Sequence, residues 1–257
     1  MHYFSGASGI PHAEYAALCG MAYTDDVFRD GFTRPHGIMA VGGPSPDLAL
    51  DDGFLFPPLG ETEVVGFVKD DLLILCPRGT EVTQNFSWID IIRDLRCLPW
   101  PTRYNGWNHA GFMKGARNWV HVYGRSISRL FPQCTRMALI GHSLGAALAT
   151  QMALLVTDKK NRGKFPPIEE IVLFGEPKSM FLSSQAIYRG RGLHEITSSY
   201  RKGSDRVTRA PPWGRRGAEP SEQPPGFMVV GEEEGQDHSI ENYIQALGSA
   251  KAYIQAL

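Results

Sequence analysis

Short apolar runs alternate along this chain with longer stretches in which apolar residues recur at helical spacing. The first pattern predicts buried strands and the second amphipathic helices. Residues 11–23 read as a first helix, with Tyr15, Leu18, Cys19 and Ala22 on one face. Residues 31–60 are rich in Gly and Pro and are expected to wrap the surface. Residues 64–68 and 72–76, joined by Lys69-Asp70-Asp71, predict a hairpin. A long helix is expected over 111–130, carrying Trp119, Val122, Tyr123 and Ile127. Further strands are read at 137–140, 171–174, 193–200 and 226–230, and a buried helix at 146–155. The last helix carries Ile240, Tyr243, Ile244 and Leu247 as a core-facing stripe. Strands alternating with helices predict an α/β fold, a central and mostly parallel sheet flanked by helices. Its length of 257 residues suits one large domain over 1–257.

One junction in that pattern carries chemistry. Gly141-His142-Ser143-Leu144-Gly145 lies between the strand at 137–140 and the helix at 146–155. Gly-x-Ser-x-Gly in that setting is the nucleophile elbow, a sharp turn that presents the serine above the sheet. Both glycines are expected to stand where a side chain would strike the turn or its neighbour. A serine hydroxyl needs a general base, itself oriented by an acid, and for this elbow the chain order is serine, acid, histidine. Only His194 and His238 follow the serine. His194 sits in a predicted strand, whereas His238 sits in a loop just ahead of the last helix and is the better base. Among the carboxylates between, Asp205 follows a strand end and precedes Pro211-Pro212, the position where functional groups gather. Glu176 is second, with a natural place in the turn after its own strand. Asp158, Glu169 and Glu170 read as surface residues. The amide of Leu144, just after the nucleophile, is the first expected oxyanion donor.

Composition narrows the classes further. A net charge of −1 with 42% hydrophobic residues argues against disorder and against a general nucleic-acid surface. No apolar run reaches the length of a membrane span, and no signal peptide is read at the start. Cys19, Cys76, Cys97 and Cys134 lack metal spacing and read as buried thiols. No cofactor motif is present in the sequence.

Several spaced blocks resemble the class 3 (fungal-type) triacylglycerol lipases of the α/β-hydrolase superfamily. Arg78-Gly79-Thr80 is similar to that family's oxyanion segment, and His109-Ala110-Gly111-Phe112 to its His-x-Gly-Phe block. Phe174-Gly175-Glu176-Pro177 resembles its turn, Asp205-Arg206-Val207 its acid block, and His238 with Tyr243 its histidine block. The resemblance implies that Thr80 supplies a second oxyanion donor and that His109 orders loops beneath the elbow. It departs from the family at Pro77, where an aromatic residue is usual, and in the lid pattern around Trp88.

Trp88, Ile91, Ile92 and Leu95 lie at i, i+3, i+4 and i+7, an apolar stripe opposed by Ser87, Asp90 and Asp94. So placed, it predicts a mobile lid whose apolar face meets lipid, with a fixed core helix as the other reading. The segment 206–226, rich in Arg, Pro and Gly, is a second stretch that bears on substrate. The expected activity is hydrolysis of lipid carboxylic esters through an acyl-enzyme. Phospholipase A1 or short-chain esterase activity is the alternative within chemistry, and a silent lipase-like binding module the one outside it.

Overall fold

The structure is a computed structural model that describes residues 5–23, 33–34, 38–40, 52–59, 62–78, 99–203, 205–220, 224–230 and 238–255. Its strands are β1 (Thr33–Arg34), β2 (Ile38–Ala40), β3 (Asp52–Leu59), β4 (Thr62–Lys69), β5 (Leu72–Pro77), β6 (Pro99–Thr102), β7 (Gly106–His109), β8 (Arg136–His142), β9 (Ile168–Phe174), β10 (Thr197–Lys202) and β11 (Gly226–Val230). Nine of them form one sheet in the order β1-β2-β3-β4-β5-β8-β9-β10-β11, and β6 pairs with β7 in a separate hairpin. From β5 onward the pairings are parallel, and from β1 to β5 antiparallel.

Helices cover both faces, which is what a parallel sheet with unbroken apolar strands requires. Leu73, Leu75, Met137, Leu139, Ile171 and Leu173 face one core with α2 (Ala110–Tyr123) and α4 (Leu144–Val156); α3 is the short Ile127–Leu130. Their alternating neighbours Leu72, Ile74, Cys76, Ala138, Ile140 and Val172 face the other core, with α1 (His12–Met21) and α6 (Ile240–Gln255). A further helix, α5, spans Leu182–Gly190. Every residue of α4 is buried, as expected of a helix apolar on all sides.

Several expectations change. Residues 31–60 do not simply wrap the surface, because β1, β2 and β3 extend the sheet. The long helix is broken into α2 and α3 by a turn at 124–126 that opens on Gly124, a poor helix former. His194 opens a 3-10 turn, not a strand, and Thr197 Oγ1 closes that turn by donating to the Leu193 carbonyl at 2.7 Å before β10 begins. Asp158 and Glu170 are buried. Asp158 accepts the Lys160 amide at the start of a 3-10 turn, and Glu170 bonds His12 Nε2 at 2.6 Å and Ser8 Oγ at 2.5 Å. Cys19, Cys76 and Cys134 are buried, as expected; Cys97 lies outside the described residues.

Candidate active site

The turn between β8 and α4 places Ser143 at φ 57°, ψ −127°, a left-handed conformation costly for a residue with a side chain. Two features hold it. The Ser143 amide donates to the Phe174 carbonyl of β9 at 2.9 Å. The β8 backbone also runs against the first turn of α4, so that a Cβ on Gly141 would lie 2.6 Å from the Gly145 carbonyl carbon. Ser143 is fully buried.

His238 enters from the loop ahead of α6. Its Nε2 stands 2.7 Å from Ser143 Oγ, and its Nδ1 stands 2.7 Å from Asp205 Oδ2. Since a carboxylate only accepts, Nδ1 carries the proton and Nε2 is left to accept from the serine. Asp205 leaves the end of β10 and is itself held. Its Oδ1 accepts the Val207 amide at 2.9 Å, and its Oδ2 also accepts the Tyr243 hydroxyl at 2.6 Å. Tyr243 in turn accepts the Lys202 amide at 3.1 Å. Burial and the Asp205 charge both push the Tyr243 hydroxyl well above its ordinary pKa, so it stays a donor.

His142 turns its ring away from the serine. Its Nε2 donates to the His238 carbonyl at 2.8 Å, which leaves Nδ1 to accept from the Tyr23 hydroxyl at 3.1 Å. Burial, reinforced by His238 beside it, holds its pKa well below 6.5 and the ring neutral. The two imidazoles lie 4.9 Å apart, so His142 braces both the backbone and the ring of His238.

Glu176 does not reach this chain of hydrogen bonds. Its carboxyl accepts from Thr150 Oγ1 at 2.8 Å and Ser199 Oγ at 3.1 Å, and burial raises its pKa from 4.5 to about 7 despite Arg216 nearby. His194 is also remote from it, with Glu195 as its charged neighbour. His109 is buried against Phe112, its amide donating to the Ser179 carbonyl at 3.1 Å. Neither of its ring nitrogens has a hydrogen-bond partner among the described residues, and burial lowers its pKa to about 4. The Leu144 amide opens α4, one of the helical N–H groups without an acceptor in its own helix. Thr80 and the stripe Trp88, Ile91, Ile92 and Leu95 lie outside the described residues.

Sequence reasoning missed two roles. Gly175, at φ +61°, leaves room for the pair beneath it; a Cβ there would lie 2.7 Å from His238 Cε1 and 3.2 Å from Asp205 Oδ2. Its signal is the Phe-Gly-x-Pro turn, which by itself implies only a turn. Tyr243 falls in the core stripe and, by resemblance, in the histidine block beside His238, but neither reading specifies that its hydroxyl donates to Asp205. Among the described residues no cluster of His, Cys, Asp and Glu is arranged to hold a metal ion, and no helix is long and apolar enough to cross a membrane.

A sequence model of the lipase (class 3) family matches residues 74–214. Among solved structures the chain is similar to Rhizomucor miehei triacylglyceride lipase, with TM-score 0.60 and 16% identity over 91% of this chain and 82% of that one. It is also similar to Lip2 lipase from Yarrowia lipolytica, with TM-score 0.54 and 17% identity over 85% and 77%. A fungal lipase–inhibitor complex described as a model for interfacial activation matches with TM-score 0.54 and 18% identity over 86% and 78%. No curated protein sequence matches the chain.

Proposed function

The chain belongs to the class 3 lipase family, and on that premise we propose that it cleaves carboxylic esters of lipids as a serine hydrolase, through an acyl-enzyme on Ser143. The observation that carries the reading is the His238 ring, 2.7 Å from Ser143 Oγ on one side and 2.7 Å from Asp205 on the other. In this reading His238 Nε2 takes the hydroxyl proton as Ser143 Oγ attacks the ester carbonyl. The tetrahedral adduct collapses, the C–O bond to the alcohol breaks, and His238 returns the proton to the departing alkoxide. Water then attacks the acyl-enzyme with His238 again as base, releasing the fatty acid and restoring Ser143. Asp205 holds the imidazole in the required tautomer throughout and does not itself take the proton.

Negative charge developing on the carbonyl oxygen is assigned to the Leu144 amide at the positive end of α4, and to Thr80 by family resemblance. Each such donor is worth roughly 3–4 kcal/mol in the transition state. Because Ser143 is fully buried, a lipid reaches it only when something above it moves. The segment 81–99, with its stripe of Trp88, Ile91, Ile92 and Leu95, is assigned that part.

The reading is tested with a fluorophosphonate probe, which should label the wild type and not Ser143→Ala. Labelling that survives in Ser143→Ala overturns the nucleophile, and absence of labelling and turnover in the wild type favours a silent binding module. A chain-length series of nitrophenyl esters beside triglyceride and phospholipid separates lipase, phospholipase A1 and short-chain esterase activity.

A further inference from the structure

Residues 95–157 hold seven Lys or Arg and no Asp or Glu, in a chain whose net charge is −1. On the structure this imbalance becomes a surface. Lys114, Arg117, Asn118 and His121 follow one another along the exposed side of α2, at the spacing that puts side chains on one helix face. With Trp100 and Met113 they line a groove of about 310 Å³. Trp100 stands 45% exposed at its edge. Among the described residues no carboxylate pairs with Lys114 or Arg117, although ion pairs form elsewhere on the surface, as at Arg136 with Asp71 and Glu169.

The groove is also fastened to the catalytic end of the sheet. Trp100 pairs with Asn108 in the hairpin, Asn108 bridges Met180, and Met180 bridges Arg215 in the loop beyond Asp205. We propose that this groove is a docking site for anionic phosphate headgroups of a lipid surface, distinct from the pocket that takes the ester. The cations and the Asn118 amide meet phosphate oxygens. Trp100 takes the place favoured by an indole at a membrane boundary, apolar on one side and wet on the other. The proposal accompanies the lipid-ester reading but is tested apart from it.

Ser143→Ala protein, unable to turn over lipid in that reading, is titrated with vesicles of phosphatidylcholine alone and with phosphatidylglycerol added. Binding should require phosphatidylglycerol and weaken with salt. Each cation at such a surface is worth about fivefold in partition, so Lys114→Gln with Arg117→Gln should weaken binding about 25-fold. Arg125→Gln, an exposed cation of the same acid-free stretch outside the groove, should change it less than twofold. In the Ser143-containing protein the double variant should hydrolyse a soluble short-chain ester as the wild type does. The proposal is overturned if neutral and anionic vesicles bind equally, or if Arg125→Gln weakens binding as much as Arg117→Gln. It is also overturned if soluble glycerol phosphate displaces the vesicles at millimolar levels, which would make the groove a small-anion pocket. Failure to hydrolyse any ester would instead count against the function proposed for Ser143, and leaves the vesicle titration readable.

Discussion

At the scale of single residues, the site depends as much on what is absent as on what is present. His238 and Asp205 meet beneath Gly175, where a methyl group would lie 2.7 Å from the imidazole on a backbone that a side chain already disfavours. Gly175→Ala should therefore keep the fold and lower turnover at least about 100-fold, since small misplacements of reacting groups cost that much. Near-normal kcat in that variant would show that the pair has slack the geometry denies. Asp205→Asn should lower kcat by about four orders of magnitude through the wrong tautomer, while Glu176→Gln retains most activity. The reverse ranking would mean that the acid has been misassigned. That Ser143, His238 and Asp205 come together is legible in the sequence, because the elbow has a fixed spacing and the partners follow it in a fixed order. The resemblance brings Gly175 and Tyr243 into its blocks, but what each does beside the pair is not legible, because neither contact lies in residue type. One is a clearance visible only when two other loops arrive, and the other is a hydroxyl on an otherwise apolar helix face.

At the scale of elements, periodicity read the buried parallel strands and α1, α4 and α6 well, since burial on two faces leaves long apolar runs. It failed where chemistry other than burial set the boundary. Gly and Pro make 31–60 look like wrapping, yet Leu55 and Phe56 pair with Val65 and Val64, and at Pro57-Pro58 the ladder merely shifts register before Leu59. His194 lies in a run rich in strand formers, but the Thr197 hydroxyl closes a turn there first. The segment 81–99 is the element on which activity at an interface turns in the proposed mechanism. Burying its four large apolar side chains is worth roughly 1.5–3 kcal/mol each, so in water the closed form should dominate. Hydrolysis of an insoluble ester should then rise sharply once substrate exceeds its solubility limit, and Trp88→Ser should blunt that rise more than it slows a soluble short-chain ester. Smooth saturation through the solubility limit, with equal losses on both substrates, would make 81–99 a fixed helix.

At the scale of the whole molecule, buried ionisable groups of opposite kind set how stability follows pH. His109 and His142 are held neutral by burial, with the His109 pKa lowered from 6.5 to about 4. A lowered histidine stabilises the fold above its unfolded pKa, and that contribution is lost as pH falls from about 6.5 toward 4. Glu176 acts in the other direction. Its pKa, raised from 4.5 to about 7 by burial, makes the fold most favourable with the proton on, and that advantage is lost as pH rises through about 7. At about 1.4 kcal/mol per pH unit, a carboxyl moved that far changes stability by roughly 3 kcal/mol. Between pH 4.5 and 6.5 the downward slope from Glu176 offsets about one of the two histidine slopes, so the wild type should climb less than His109 and His142 together dictate. Glu176→Gln keeps an amide that serves both Thr150 and Ser199 and removes only the downward slope. Its Tm should therefore climb more between pH 5 and pH 7.5 than the wild-type Tm does, by roughly 5–10 °C. His109→Gln should do the opposite and flatten the climb. Identical Tm differences between the two pH values in wild type and Glu176→Gln would mean that Glu176 is ionised throughout and paired with Arg216, and that the interior around α4 tolerates its charge.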